Sequence, residues 1–586
     1  MDLKDLKSPA DIRGLSIEEL RHLADELRSA LLTKLSRHGG HVGPNLGMVE
    51  ATIALHYVFN TPVDKLVFDV SHQSYVHKML TGRIEAFIDP AHYDDVTGYT
   101  EPRESEYDLF AVGHTSTSIA MATGIAKGRD LQGGHENVIA VIGDGSLSGG
   151  EAYEGLDYAA TLGSNFIVVV NDNDMSIAPN HGGIYANLRE LRETNGQCPT
   201  NLFRAIGFDY RFVKDGNDLD QLIRAFLEVK DIDHPVVVHI ATQKGMGYEP
   251  AEADREEFHW SVPFDEKTGR PLSISETQTY DELMSDYMLD KMKKDPRVVA
   301  ITAATPGVFG FTPEKRAKAG KQFFDVGIAE AQAAGMSSGL AKIGQRPVFM
   351  VGSSFSQRAY DQISQDISIN NQPVTIAIFY GGMFGLNDVT HLGWFDIALY
   401  SNVPGVVYLA PTCGEEYMAM LDWAINQEDH PVVVRVPGGG GPVNYTGRAF
   451  PSDYSKLNVY DVRRRGTKVA LIAEGEMFAR AEKAADILKE KGVEVTLISP
   501  RYLSGVDEKC LDDLKKDTFA VFTYEDGIID GGFGQKVASY YGPSGMKVIN
   551  RGLPKEFLDA YDRAALARVC RFDPDQIADD VLAELN

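Results

Sequence analysis

Asp144 and Asn173 are the residues around which chemistry can be built. Each follows an apolar run: residues 137–142 end at Gly143-Asp144-Gly145, and residues 166–170 end at Asn171-Asp172-Asn173. A carboxylate and a side-chain carbonyl are hard oxygen donors suited to magnesium, which leaves part of its octahedron to waters and phosphate oxygens. A backbone carbonyl at Met175 would complete the protein's share. Glycines at 143, 145, 149 and 150 let backbone amides and a helix start approach an anion closely. The pattern therefore points to a divalent cation holding a diphosphate. Three more loops carry imidazoles: His38 and His41 in HGGHVGPNLG, His72 and His77 after Asp69 in FDVSHQSYVHK, and His114 in GHTSTS. Neutral imidazoles give and take protons near physiological pH. A pair of histidines in one glycine loop is equally consistent with plain solvation, but three such loops at one sheet edge are not explained by packing.

The elements that must position these groups follow from periodicity. Residues 137–173 read as strand, helix from about Ser148, then strand, a parallel and right-handed unit. Its polar residues then lie at the carboxyl ends of the strands, where open α/β sheets bind ligands. Ser16 to Glu19 fits a capping box, and the helix after it should run to about Arg37. Residues 250–273 are charged, aperiodic and contain prolines, which predicts a linker; His259 within it is an exposed linker histidine unless, as the resemblance given below implies, it reaches back to the site. Beyond it, VVAITAA, PVFMVGSSF, VTIAIFYGG, GVVYLAP and PVVVRVP predict a second parallel sheet, with Glu330 near the start of a helix of small residues. VPGGGGPVNYTGRAFPSDYSK reads as a second linker, and VALIAEG, VEVTLISP, FAVFTYED and MKVINRG as a third sheet without a catalytic site. The expected fold class is α/β: three doubly wound domains with mainly parallel sheets, at 1–272, 273–440 and 460–586.

A chain of 586 residues is too long for one core, so several domains are expected. The formal charge of −27 argues against nucleic acid or an anionic membrane as a general partner. Cys198, Cys413, Cys510 and Cys570 are scattered and form no metal spacing, which favours a reducing compartment. The first residues, MDLKDLKSPADIRGL, lack the apolar core of a signal peptide, and no run approaches the ~20 apolar residues of a membrane span. A cytoplasmic protein is expected.

The segments ALHYVFNTP, FDVSHQSYVHKMLTGR, GHTSTSIAMATGIA, GDGSLSGG and NDNDMSIAPN resemble the 1-deoxy-D-xylulose-5-phosphate synthase family. These are transketolase-like thiamine-diphosphate enzymes, whose GDG…N signature the pair Asp144 and Asn173 matches. The similarity continues through QKGMGYEPAE and FHWSVPFD and spans nearly the whole chain. It implies thiamine diphosphate and Mg2+ bound between the first two domains, with Asp144, Asn173 and Met175 on the metal. Gly113, His114, Gly143, Gly145, Ser146 and Lys244 would join those three on the cofactor. From the second domain it implies Glu330 on the aminopyrimidine, where a buried acid sharing its proton favours the imino tautomer, with Phe355 stacking and Arg358 and Asp361 supporting. His41, His72, His114 and His391 would move protons or polarise carbonyls. The reaction implied is decarboxylation of pyruvate, or a similar 2-oxo acid, and condensation of the resulting enamine with an aldehyde to a 1-deoxyketose. The third domain would support a homodimer.

Several positions depart from the family. The region 187–212 is short where the family carries a mobile insertion, and Asn217 stands where a histidine falls. Ala331 and Gln332 follow the glutamate in place of Gln and His. Gly352 replaces a tyrosine, Asn387 an acceptor-binding aspartate, and Tyr380 and Gly438 two arginines of the acceptor site. Arginine's planar fork is the usual bidentate phosphate ligand, and two such contacts are worth roughly 3–6 kcal/mol. The sequence thus leaves two enzyme readings, the synthase itself or a paralogue with another acceptor or donor. A catalytically silent cofactor-binding scaffold is the third.

Overall fold

The structure is a computed structural model that describes residues 2–273 and 277–585. The chain forms two compact units, Met1–Ser275 with Gly327–Ala329, and Glu276–Val326 with Glu330–Asn586. In the first, β1 (Lys65–Phe68), β2 (Val138–Gly143), β3 (Phe166–Asp172), β4 (Asp209–Val213) and β5 (Pro235–Ala241) assemble in the order β1-β2-β3-β5-β4, all parallel. The strands are runs of Val and Ile because helices cover both faces of a parallel sheet. Ile139, Val141, Ile167 and Val169 enter one core, whereas Ala140, Ile142, Val168 and Val170 enter the other.

Register sets the site. Gly143 pairs with Asn171, so the chain leaves β2 and β3 side by side. β3 runs on to Asp172, beyond the expected Val170, and the intervening helix starts at Gly150 rather than Ser148. The delay arises because Asp144–Ser148 forms a 3-10 turn and Gly149 is extended as the helix N-cap.

The N-terminal helix, Ile17–His38, is capped as the sequence predicts: Glu19 N–H donates to Ser16 Oγ (3.3 Å), and Ser16 N–H to Glu19 Oε2 (2.7 Å). It buries Leu20, Leu23, Leu27, Leu31 and Leu35, each contributing roughly 1.5–3 kcal/mol. One expectation fails. Residues 250–273 are not a free linker: Phe258 and Phe264 lie in the first unit's core, and Ser261 bridges to Gly40. Burial of two aromatics overrides the charged, aperiodic composition.

In the second unit, β6 (Val298–Thr302), β7 (Phe323–Asp325), β8 (Arg346–Gly352), β9 (Thr375–Phe379), β10 (Val407–Leu409) and β11 (Val432–Arg435) form a parallel sheet in the order β10-β11-β9-β8-β6-β7. A third sheet orders β12 (Asp461–Arg464), β13 (Lys468–Ala473), β14 (Thr496–Ser499), β15 (Thr518–Ile528) and β16 (Lys547–Leu553) as β12-β14-β13-β15-β16, with β12 antiparallel. Both sheets feed one hydrophobic cluster, in which Ile376 and Tyr408 join Ile472, Val521 and Phe533. Among the described residues, no helix is long and apolar enough to cross a membrane.

Candidate functional site

In the first unit, Asp144 is buried at the end of β2, where its Oδ2 accepts from Asn180 Nδ2 (2.7 Å) and Met175 N–H (3.1 Å). Burial and the nearby Asp172 charge push its carboxyl well above the ordinary carboxylate range. A cation beside such a group favours its charged form. Asn173 Oδ1 is buried and makes no hydrogen bond, an acceptor waiting for a partner. Met175 meets Asp144 through its N–H. At Gly145 a Cβ would come within 2.7 Å of the Ser176 side chain, so only glycine lets these two loops close. Asp172 itself is occupied: Arg192 Nη1 donates to both its oxygens (2.5 and 2.6 Å), and His239 Nε2 lies 2.8 Å away. Against burial, these bonds hold Asp172 below its ordinary range.

The imidazole loops separate into two groups. His41 and His72 pack edge to face with centroids 5.0 Å apart, and His259 joins them at 5.7 and 5.1 Å. Lys244 ties this cluster to the loop after β3, with Nζ 3.2 Å from His259 Nδ1 and donating to Ser176 O at 2.7 Å. Burial lowers the Lys244 ammonium to about 7, against the pull of Asp144, and drives His259 well below its usual range. His77, by contrast, is buried in a relay through His56 and Asp108 (2.9 and 2.8 Å), where it serves packing. His38 pairs with Asp94 at the surface. Asp69 accepts the N–H groups of Ser116 (2.8 Å) and Ser118 (3.0 Å), bracing the loop that carries Gly113 and His114. Ser116 in turn donates to the Ser146 carbonyl (2.7 Å).

Asn217 has a use of its own. Its Nδ2 donates to Gly47 O (3.1 Å) and Glu50 Oε2 (3.0 Å), and its Oδ1 accepts Gln243 N–H (2.9 Å). It thereby clamps the stretch after His41 to the one carrying Lys244.

In the second unit, Glu330 opens the helix Glu330–Lys342 and is buried, 6% exposed. Burial raises its pKa, with Arg358 pulling the other way, so the acid tends to keep its proton. Small residues Ala333, Ala334 and Ser337 bury the same helix against β8 and its neighbours. Phe355 lies beyond the end of β8, with its ring 5.2 Å from that of His391 in an edge-to-face contact. Asp388 accepts from His391 Nδ1 (2.8 Å) and Thr390 Oγ1 (2.6 Å), and against burial these bonds keep it below its ordinary range. It orients the imidazole and does not stand in for the aspartate missing at 387, where Asn387 reaches the Tyr561 carbonyl (3.3 Å).

Profiles of three known domain families together match most of the chain. That described as 1-deoxy-D-xylulose-5-phosphate synthase matches residues 3–198 and 193–242; the transketolase pyrimidine-binding domain matches 276–440, and the transketolase C-terminal domain 459–577. The chain is 39% identical over 590 residues to a 1-deoxy-D-xylulose-5-phosphate synthase of Desulforudis audaxviator, covering 94% of this chain and 92% of that one. The corresponding values are 40% over 602 residues (95% and 91%) for the Symbiobacterium thermophilum synthase and 37% over 627 (100% and 99%) for that of Shouchella clausii.

The chain belongs to the 1-deoxy-D-xylulose-5-phosphate synthase family.

Membership makes it a thiamine-diphosphate-dependent, transketolase-like transferase that works with a divalent metal, typically Mg2+, on small molecules. The residues present fit those cofactors: in the first unit the unbonded Asn173 Oδ1 and the buried Asp144 carboxyl would supply hard oxygens to the metal, and in the second unit the buried Glu330 would supply an acid. The sequence reading missed Asn180, although it ends the NDNDMSIAPN segment, and Arg192, because a side-chain bond to a residue on another element leaves no periodic trace. His259 was legible only as an alternative, since its neighbours are charged.

Proposed function

We propose that this synthase-family protein decarboxylates pyruvate, or a similar 2-oxo acid, and joins the two-carbon fragment to an aldehyde, giving a 1-deoxyketose. Bound thiamine diphosphate supplies the carbon nucleophile and electron sink. In the first unit, Asp144, Asn173 and the Met175 carbonyl hold Mg2+. Gly113, His114, Gly143, Gly145 and Ser146 line the diphosphate, and the Lys244 ammonium offsets its charge. In the second unit, Glu330 keeps a proton for the aminopyrimidine ring nitrogen, Phe355 packs on that ring, and Arg358 limits how far the acid's pKa climbs. His41, His72 and His114 give and take protons at the substrate oxygens, and His259 shares that task through its contact with them. His391, oriented by Asp388, polarises the acceptor carbonyl. The protein works as a homodimer in the cytoplasm.

One observation carries this reading. At the carboxyl edge of a single sheet, a buried carboxyl, an unbonded buried amide oxygen and a lysine–histidine cluster converge. A catalytically silent cofactor-binding scaffold would keep the two oxygen donors but has no need of the lysine–histidine cluster. The decisive experiment incubates the protein with thiamine diphosphate, Mg2+, pyruvate and aldehydes, and identifies products by NMR. A 1-deoxyketose is expected; absence of both carbon dioxide release and product would refute the proposal. In parallel, Glu330→Ala should slow exchange of the cofactor's C2 proton by about 10²–10⁴-fold while cofactor binding persists. Wild-type exchange would remove Glu330 from the mechanism.

Tyr380 and Gly438 favour a second version of the same chemistry. Neither brings a charge to the acceptor site, so an acceptor other than a phosphorylated aldehyde is the better fit.

A further inference from the structure

Within the second unit, a cavity of about 490 Å3 is lined by Tyr280, Tyr380, Phe384, Glu476, Arg563 and the backbone of residues 438–441. It adjoins the Phe355–His391 pair: a Cβ on Gly352 would lie 3.2 Å from the Phe355 ring and 3.8 Å from that of Tyr380. Tyr380 is therefore shared between the two. Gly438, Gly439 and Gly440 have φ of +57°, +65° and +95°, a left-handed run that brings bare backbone to the cavity wall.

The cavity's charge is the informative feature. A Cβ on Gly438 would point at Glu476, 3.6 Å from its Oε2. The acid thus occupies the direction in which any side chain at 438 would extend. Burial and the neighbouring Asp526 push the Glu476 carboxyl up to about 7. Of the guanidinium groups nearby, Arg435 is committed to Asp396 (2.8 Å) and to Asp526 and Glu474. Arg480 bonds Asp573 (3.2 Å). Arg563, the one arginine in the lining, donates through Nη2 to the Gly385 carbonyl at 2.6 Å. A dianionic phosphate would meet Glu476, with Asp526 behind it, and a single guanidinium already bonded. An uncharged or cationic donor would meet a desolvated carboxyl able to accept, where a hydrogen bond is strengthened by the low local dielectric.

We propose that this cavity receives the distal end of the acceptor and selects a short, non-phosphorylated aldehyde whose far carbon carries a hydrogen-bond donor, a hydroxyl or an ammonium, for Glu476. The assignment rests on the two-carbon transfer proposed above, and its test is built so that the two can fail separately.

Two readouts are needed. Saturation-transfer NMR with unreactive analogues (glycerol, 3-amino-1-propanol and glycerol 3-phosphate) reads the cavity on the cofactor-loaded protein whether or not turnover occurs. Competition kinetics with D-glyceraldehyde, 3-aminopropanal and D-glyceraldehyde 3-phosphate reads selection during the reaction, with carbon dioxide release as a separate measure of the donor half. The expected result is at least tenfold weaker binding of glycerol 3-phosphate than of the better of the other two analogues. The kcat/KM values should rank the same way. Glu476→Gln should narrow the preference about tenfold, mainly through KM, and Tyr380→Arg should raise use of the phosphorylated aldehyde. The relative size of the two non-phosphorylated signals tells hydroxyl from ammonium. Tighter binding of glycerol 3-phosphate by the wild type overturns the proposal, as does a preference controlled by Arg563→Gln and indifferent to Glu476→Gln. Should Glu476→Gln fail to fold, the Tyr380→Arg variant and the wild-type binding order still decide.

Discussion

Lys244 shows how much a single buried cation constrains this protein. Its folded pKa of about 7 lies below the ordinary 10.5, so between those values the unfolded chain binds the proton more tightly than the folded one. Stability of the cofactor-free protein therefore gains from this group as pH rises through that window, by at most about 1.4 kcal/mol per pH unit. Replacing it by methionine should abolish that gain, so the variant's stability advantage is largest at and below pH 7 and shrinks toward pH 10. Denaturant titrations at several pH values would show it; parallel wild-type and Lys244→Met curves would contradict it. At this scale the sequence was informative where chemistry demands a residue type. Asp144 and Asn173 could be singled out because oxygen donors ending two neighbouring strands are an uncommon arrangement, whereas Glu330, which taken alone reads as a surface helix glutamate, came only through the family resemblance. His77 entered only as a neighbour of His72 in one of the three imidazole loops, without a catalytic role. Its spacing matches a site residue, and only burial beside His56 and Asp108 reveals that it braces the fold.

Among the elements, the helix Gly183–Glu193 braces the loop that carries Asn173. Through Arg192 it grips Asp172 and Asp174 (2.9 Å), the two residues that flank Asn173. Arg192→Met would leave the buried Asp172 with His239 and the Asp174 N–H but no full cation, and should destabilise the protein by about 3–5 kcal/mol. Adding Asp172→Asn should recover much of that loss, because the unpaired charge goes with it. Chemical denaturation of the single and double variants gives the coupling directly, and additive losses would rule the latch out. None of this was readable beforehand. The strand boundaries came within a residue or two because apolar runs mark buried parallel strands, yet side-chain ion pairs across elements leave no periodic trace. The same blindness explains residues 250–273, where two buried aromatics outweigh a charged, proline-containing composition.

For the whole molecule, the three sheets do not translate into three independent bodies. The second and third sheets share a hydrophobic cluster and also a buried ionic group, in which Arg435 of β11 faces Glu474 and Asp526. Breaking that group by removing one partner exposes uncompensated charge. We expect calorimetry to show these two sheets melting in one cooperative transition, and a chain stopped before β12 to be insoluble or molten. A separate low-temperature transition for the third sheet, or a well-folded truncation, would disprove that coupling. The first unit has its own two cores and should unfold as a second event.

The shared cluster of Ile376, Tyr408, Ile472, Val521 and Phe533 also limits what can be recombined. Grafting the C-terminal segment of another family member onto this chain would bring foreign apolar shapes against β9 and β10, where a misfit of a single methylene already costs about 1 kcal/mol. Chimeras that exchange it should therefore succeed only when the facing half travels with it, so the heritable unit of this architecture is the pair of sheets rather than either one.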